Sequence, residues 1–191
     1  MKLKDLVVIA VFAALLCVLA PVAVPVGPVP ITLATFVIYL AAFVLGTKRA
    51  VAAVLLYLLL GLIGIPVFAG FVGGFQKFTS PTAGYLVGYL PLAAIAGLRV
   101  PRRSSGFYSP RNIALPILLA VLGTVVLYAL GTAWFMLGSH LSLAKSLTLC
   151  VLPFLPGDAV KIAVAAVSAP ALCAALGRVN VLDKPNTGEK P

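Results

Sequence analysis

The chain has 191 residues, of which 62% are hydrophobic and only 9% charged, with a formal net charge of +10. So few polar groups cannot cover a water-facing surface, which excludes an ordinary soluble domain and leaves an integral membrane protein. The apolar runs are long and unbroken rather than short and alternating, which excludes a β-barrel and predicts an all-α membrane fold.

Met1-Lys2-Leu3-Lys4 opens an apolar stretch that ends in small residues near Ala20 to Ala23. That pattern fits a cleaved signal peptide or a first membrane helix from about Leu6 to Ala20. Five further spans follow, and an uncleaved first helix is the simpler account. On it, Ala10 and Ala14 stand four residues apart on one face, a spacing that lets another membrane helix approach closely. Pro21, Pro25, Gly27, Pro28 and Pro30 then make a rigid, uncharged connection. Span two is predicted from about Ile31 to Leu45, with Pro30 placed for its first turn. It is short for a spanning helix, so its start is expected below the membrane surface.

Gly46-Thr47-Lys48-Arg49 ends span two, and span three covers about Ala50 to Ile65. Residues 66–81 form a long loop rich in glycine and phenylalanine, with Lys77 as its one charge. Such a loop is unlike a solvated turn and is expected to fold over a cavity as a lid. Span four runs from about Thr82 to Leu98, followed by a loop holding Arg99, Arg102, Arg103 and Arg111. Span five runs from about Ile113 to Leu137, and a short loop with Ser139, His140 and Lys145 leads to span six, Leu147 to Leu176. Span six is too long to be uninterrupted, and Pro153, Pro156 and Gly157 mark the expected break. Residues 1–177 thus read as one six-helix membrane domain, and 178–191 as a polar cytoplasmic tail.

With the N-terminus cytoplasmic, eleven of the fourteen basic residues fall on the inner side, leaving Lys77, Lys145 and Lys161 outside or within the membrane. The positive-inside rule favours that topology, with both termini cytoplasmic. The positive charge then reports topology and gives no reason to expect nucleic acid as a partner. Cys17, Cys150 and Cys173 lie in apolar segments without metal-ligand spacing and read as buried small residues.

Asp158 is the only acidic residue deep inside apolar sequence, and Lys161 follows it by one helical turn on the same face. A charge at that depth costs about 2.5–3.5 kcal/mol on insertion scales, so the two must face a cavity or each other. One reading is a salt bridge that pins a broken helix. The other, favoured by the lid-like loops, is a polar pocket offering an anionic acceptor and a cationic donor to a small amphiphilic solute. Thr32 and Thr35 on span two are candidate linings, the alternative being hydroxyls bonded back to their own helix. Tyr85, at the opening of span four, is either a ligand contact or an interfacial anchor, and Tyr89 shares its face. Trp134 reads as packing or an anchor, and His140 as a solvated loop residue. No second buried carboxylate or nearby histidine exists to build a metal site or an activated nucleophile, so no enzyme is expected. No phosphate-cradling Gly-x-x-x-x-Gly-Lys-Ser/Thr loop is present, so uphill transport would need partners or ion gradients.

Four blocks carry a resemblance: Pro30-Ile31-Thr32-Leu33-x-Thr35-Phe36; the run from Leu56 to Gly70; Ser80-Pro81-Thr82-Ala83-Gly84-Tyr85-Leu86; and Leu152-Pro153-Phe154-Leu155-Pro156-Gly157-Asp158-x-x-Lys161. Together, over about residues 5 to 176, they resemble the BioY family, the biotin-binding S components of energy-coupling factor (ECF) vitamin transporters. The resemblance implies six membrane helices in a multi-pass plasma-membrane protein, with biotin as a transported ligand and no cofactor. It implies that Asp158 and Lys161 contact that ligand. It also places Ala10 and Ala14 on an Ala-x-x-x-Ala face that docks the transmembrane T component, itself coupled to two ATPase subunits. The chain departs from the family pattern at Ala34, at Ala83-Gly84-Tyr85 and across Phe71 to Thr79. Two other functions stand beside this one: an S component for another vitamin, such as thiamine or riboflavin, and a structural membrane subunit without a ligand.

Overall fold

A computed structural model of the chain describes residues 3–26, 28–98 and 110–178. Helix α1 spans Leu3–Leu19, and two short strands follow, β1 (Ala23–Val24) and β2 (Ile31–Thr32). Next come α2 (Ala34–Leu45), α3 (Thr47–Leu62), the short α4 (Gln76–Thr79) and α5 (Ala83–Ala96). The 30-residue α6 (Pro110–Ser139), α7 (Leu143–Cys150) and α8 (Leu155–Arg178) complete the order.

Helix α2 carries no charge and is buried along almost its whole length, packed among α1, α3, α5 and α8. A helix that is apolar all round belongs at the centre of a membrane bundle, and its 12 residues rise only about 18 Å. Among the described residues, Ile113–Ser139 and Leu155–Leu176 are helical stretches long and apolar enough to cross a bilayer alone. Ala34–Leu45 and Ala83–Ala96 are shorter apolar helices. At one end of α1, Asp5 and Arg49 form a 2.6 Å ion pair that ties it to the start of α3.

The structure corrects the expected elements in three places. Ile31 and Thr32 belong to a strand, not to span two, because β2 pairs antiparallel with β1 through Ala23–Thr32 and Val24–Ile31. Residues preceding prolines are pushed towards extended backbone, and the prolines around these strands favour a hairpin over an early helix. The fold is therefore helical with one two-stranded ribbon. Second, Leu143–Cys150 is a separate helix, and the break in span six falls at the turn Val151–Phe154. Pro156 and Gly157 lie inside the first turn of α8, where N–H groups have no intrahelical acceptor and a proline removes nothing. Third, α4 occupies part of the segment expected to be loop. The arginine-rich loop through Arg99, Arg102 and Arg103, and the tail beyond Arg178, lie outside the described residues.

The segment between α3 and α5 is folded down onto the bundle. Phe68 is fully buried and stacks edge-on against Tyr57 at 5.5 Å and Phe78 at 5.7 Å between ring centres. Its backbone is anchored by Gly70 N–H to the Pro21 carbonyl (3.1 Å) and by Gly74 N–H to the Gly61 carbonyl (2.7 Å). Gly64, Gly70 and Gly74 take positive φ, which lets the chain reverse this often in so few residues. Helices α5 and α6 approach closely; a side chain at Gly131 would collide with the Tyr85 ring.

Candidate functional site

The turn at Val151–Phe154 aims the start of α8 into the bundle, and the Asp158 N–H closes the first helical bond to the Phe154 carbonyl at 2.8 Å. Asp158 therefore sits in the first turn, where the helix dipole favours an anion. It is only 4% exposed. Lys161, one turn later, donates from Nζ to Asp158 Oδ1 at 2.9 Å. The expected proximity of the pair is thus observed, and the two charges are joined to each other.

Two further helices complete this cluster. From α2, the Thr35 hydroxyl donates to Asp158 Oδ1 and accepts from Lys161 Nζ, each at 3.0 Å. From α6, the Tyr128 hydroxyl donates to Asp158 Oδ2 at 2.6 Å. One turn away on both helices, the Tyr39 hydroxyl meets Thr124 Oγ1 at 2.6 Å, and Thr124 donates onward to the Ala120 carbonyl at 2.8 Å. The carboxylate is satisfied at both oxygens by one cation and two hydroxyls, which offsets its removal from water. Of the three ammonium N–H groups of Lys161, two are used among the described residues, and Oδ2 accepts a single bond. The cluster thus keeps one donor and at least one acceptor direction in reserve.

A small, open-mouthed cavity has Thr32, Tyr57, Lys77, Tyr85, Leu86 and Tyr89 in its wall. Tyr89 lies within electrostatic reach of Asp158. Asp158, Lys161 and Thr35 are not themselves in that wall. The cavity and the charged cluster are neighbours: Thr32 lines the first, and Thr35, three residues on, belongs to the second. Thr32 Oγ1 also accepts the Ala34 N–H at 3.3 Å, so it steadies the entry to α2. Burial pushes the Lys77 ammonium below the usual lysine range.

The other candidates separate. Tyr85 is buried, with its hydroxyl donating to the Cys150 carbonyl at 3.2 Å and 3.4 Å from Thr132 Oγ1, so it is no surface anchor. Trp134 is half exposed and donates from Nε1 to the Ser80 carbonyl at 3.1 Å. His140 is exposed, at a positive φ of 53° where α6 ends. Ala10 and Ala14 are exposed on α1 and contribute to neither cluster nor cavity. Sequence reading missed Tyr128, the tightest partner of Asp158. Its signal is a tyrosine four residues after a threonine inside an apolar span, where each hydroxyl needs a partner.

Replacing Tyr128 by phenylalanine leaves Oδ2 without its donor. The expected loss of stability is about 1.5–3 kcal/mol, the range for hydrogen bonds to charged groups. Tyr39→Phe breaks a neutral pair and should cost about 1 kcal/mol. Thermal unfolding of the two variants in detergent, side by side, checks that ordering.

A family model described as the BioY family matches residues 1–178. A protein named "Probable biotin transporter BioY" from Pyrococcus horikoshii is 39% identical over 172 residues, covering 90% of this chain and 98% of its own. One named "Biotin transporter BioY" from Thermotoga maritima is 38% identical over 169 residues, covering 87% and 94%. Among solved structures, an S-component for biotin from an ECF-type ABC transporter superimposes with a TM-score of 0.78 at 29% identity, covering 90% of this chain and 91% of that one. A match across nearly the whole chain, by sequence and by fold, shows that the chain belongs to the BioY family.

Proposed function

We propose that this chain is the biotin-binding subunit of an ECF-type uptake transporter in the plasma membrane, taking biotin from the outer face. The observation that carries the reading is the buried Asp158–Lys161–Thr35–Tyr128 cluster with one donor and one acceptor direction unused, beside an aromatic-lined cavity. A ureido group presents N–H donors next to a carbonyl acceptor and complements that pair. Thr32 and Tyr85, in the cavity wall, are the proposed further contacts.

The proposed topology uses α1, α2, α3, α5, α6 and α8 as six spans, both termini cytoplasmic, residues 1–177 as the membrane domain and 178–191 as a cytoplasmic tail. Its support is the bias of eleven of fourteen basic residues to one side. The chain has no nucleotide-binding loop, so the energy for uptake comes from partners, a T component and two ATPase subunits, docked through the Ala10/Ala14 face.

A vitamin thermal-shift screen on the purified protein tests the function. A ligand at one hundred times its Kd stabilises by about 2.7 kcal/mol, so biotin should raise the melting temperature while thiamine and riboflavin leave it unchanged. A shift with another vitamin alone would reassign the solute. Absence of any shift would favour the second reading, a purely structural lock, for which the direct ion pair between Asp158 and Lys161 speaks.

A further inference from the structure

The cavity wall holds one basic side chain, Lys77, among tyrosines, threonines and apolar groups. No acidic residue lines the cavity, and among the described residues the Lys77 ammonium has no carboxylate partner. A lysine at a membrane surface ordinarily extends its head into water. This one is half-buried, and its backbone is fixed at several points. The Lys77 N–H donates to the Gly74 carbonyl at 3.1 Å, and its own carbonyl accepts the Ser80 hydroxyl at 2.7 Å. Its neighbour Phe78 is pinned on Phe68, which is in turn pinned on Tyr57. A partly desolvated cation facing a cavity without a counter-ion is suited to an incoming anion.

The charged cluster at Asp158 is internally neutral, so it suits the uncharged, hydrogen-bonding end of a solute. We propose that Lys77 is a specificity-determining residue whose ammonium receives the terminal carboxylate of the ligand, so that the protein distinguishes the acid from its neutral derivatives. This rests on the biotin reading above.

The test compares biotin with its neutral carboxamide by calorimetry on the purified protein, Lys77→Met and Lys77→Arg. The parent should prefer biotin over the carboxamide by roughly tenfold or more, the worth of one charge-assisted hydrogen bond. Lys77→Met should weaken biotin by a similar factor and leave the carboxamide within about twofold, erasing the preference. Lys77→Arg should keep it. An equal loss for both ligands in Lys77→Met, or a preference that survives there, would overturn the lysine's role while the biotin reading stands. A parent protein that binds neither ligand would overturn both.

Discussion

Asp158→Asn is expected to abolish biotin binding and to destabilise the protein by about 3–5 kcal/mol, because it leaves the Lys161 ammonium buried without a counter-charge. The side-chain amide is isosteric, so the loss reports charge and hydrogen bonding, not a cavity. Oδ1 now accepts both Thr35 and Lys161, while Oδ2 accepts Tyr128. An amide has one acceptor oxygen, so its NH2 group faces Tyr128 and turns that hydroxyl from donor into acceptor, while the Lys161 cation loses the negative charge beside it. Lys161→Met should cost less, since Thr35 and Tyr128 still donate to the carboxylate. The double variant Asp158→Asn/Lys161→Met leaves no buried charge and should recover much of the stability lost by Asp158→Asn alone. Its biotin affinity should stay absent. That split between recovered stability and persistent loss of binding separates a ligand site from a helix lock. Melting temperatures and calorimetric titration of the three variants read the two quantities independently. Unchanged affinity in Asp158→Asn and Lys161→Met would end the site assignment.

How far the sequence reaches into this site follows from what each residue type demands. A lone aspartate in apolar sequence must be neutralised nearby, and Lys161 at i+3 is the local answer, so the pair was legible. The unused capacity of the carboxylate was legible too, but not which helix would fill it. Thr35 could be named because it is a hydroxyl near the outer end of the expected span two; Tyr128 lies 30 residues from Asp158, and an isolated tyrosine does not announce its partner. The β1–β2 ribbon was hidden because prolines 21, 25, 28 and 30 obscure any alternation in strands of two residues each. The start of α8 was misplaced for a related reason: Pro156 reads as a breaker in sequence, yet the first turn of a helix tolerates it. Tyr85 was ambiguous because a tyrosine suits both an interface and a buried hydroxyl. Its burial depends on Gly131 leaving room for the ring, a contact between helices 46 residues apart in sequence.

Ala10→Trp and Ala14→Trp are expected to leave biotin binding by the isolated subunit unchanged and to eliminate co-purification with the T component and the ATPases. The inward face of α1 is Val8, Ile9, Phe12, Ala13 and Leu16, all buried, whereas Ala10 and Ala14 are exposed beside Val7, Val11 and Val18. Bulk added there points away from the core, and the Asp5–Arg49 pair keeps α1 seated on α3, so the fold and the Asp158 cluster should be untouched. Without a hydrophobic driving force between helices in lipid, association relies on close backbone approach, which an indole at either alanine prevents. Val167 on α8 is 76% exposed and offers a control that places the same indole on another face. Val167→Trp should assemble normally if docking is specific to α1. Assembly that survives both alanine replacements would move the docking face elsewhere. Equal disruption by Val167→Trp would show that bulk on any lipid-facing surface interferes, and the small-residue spacing would then carry no information about the partner.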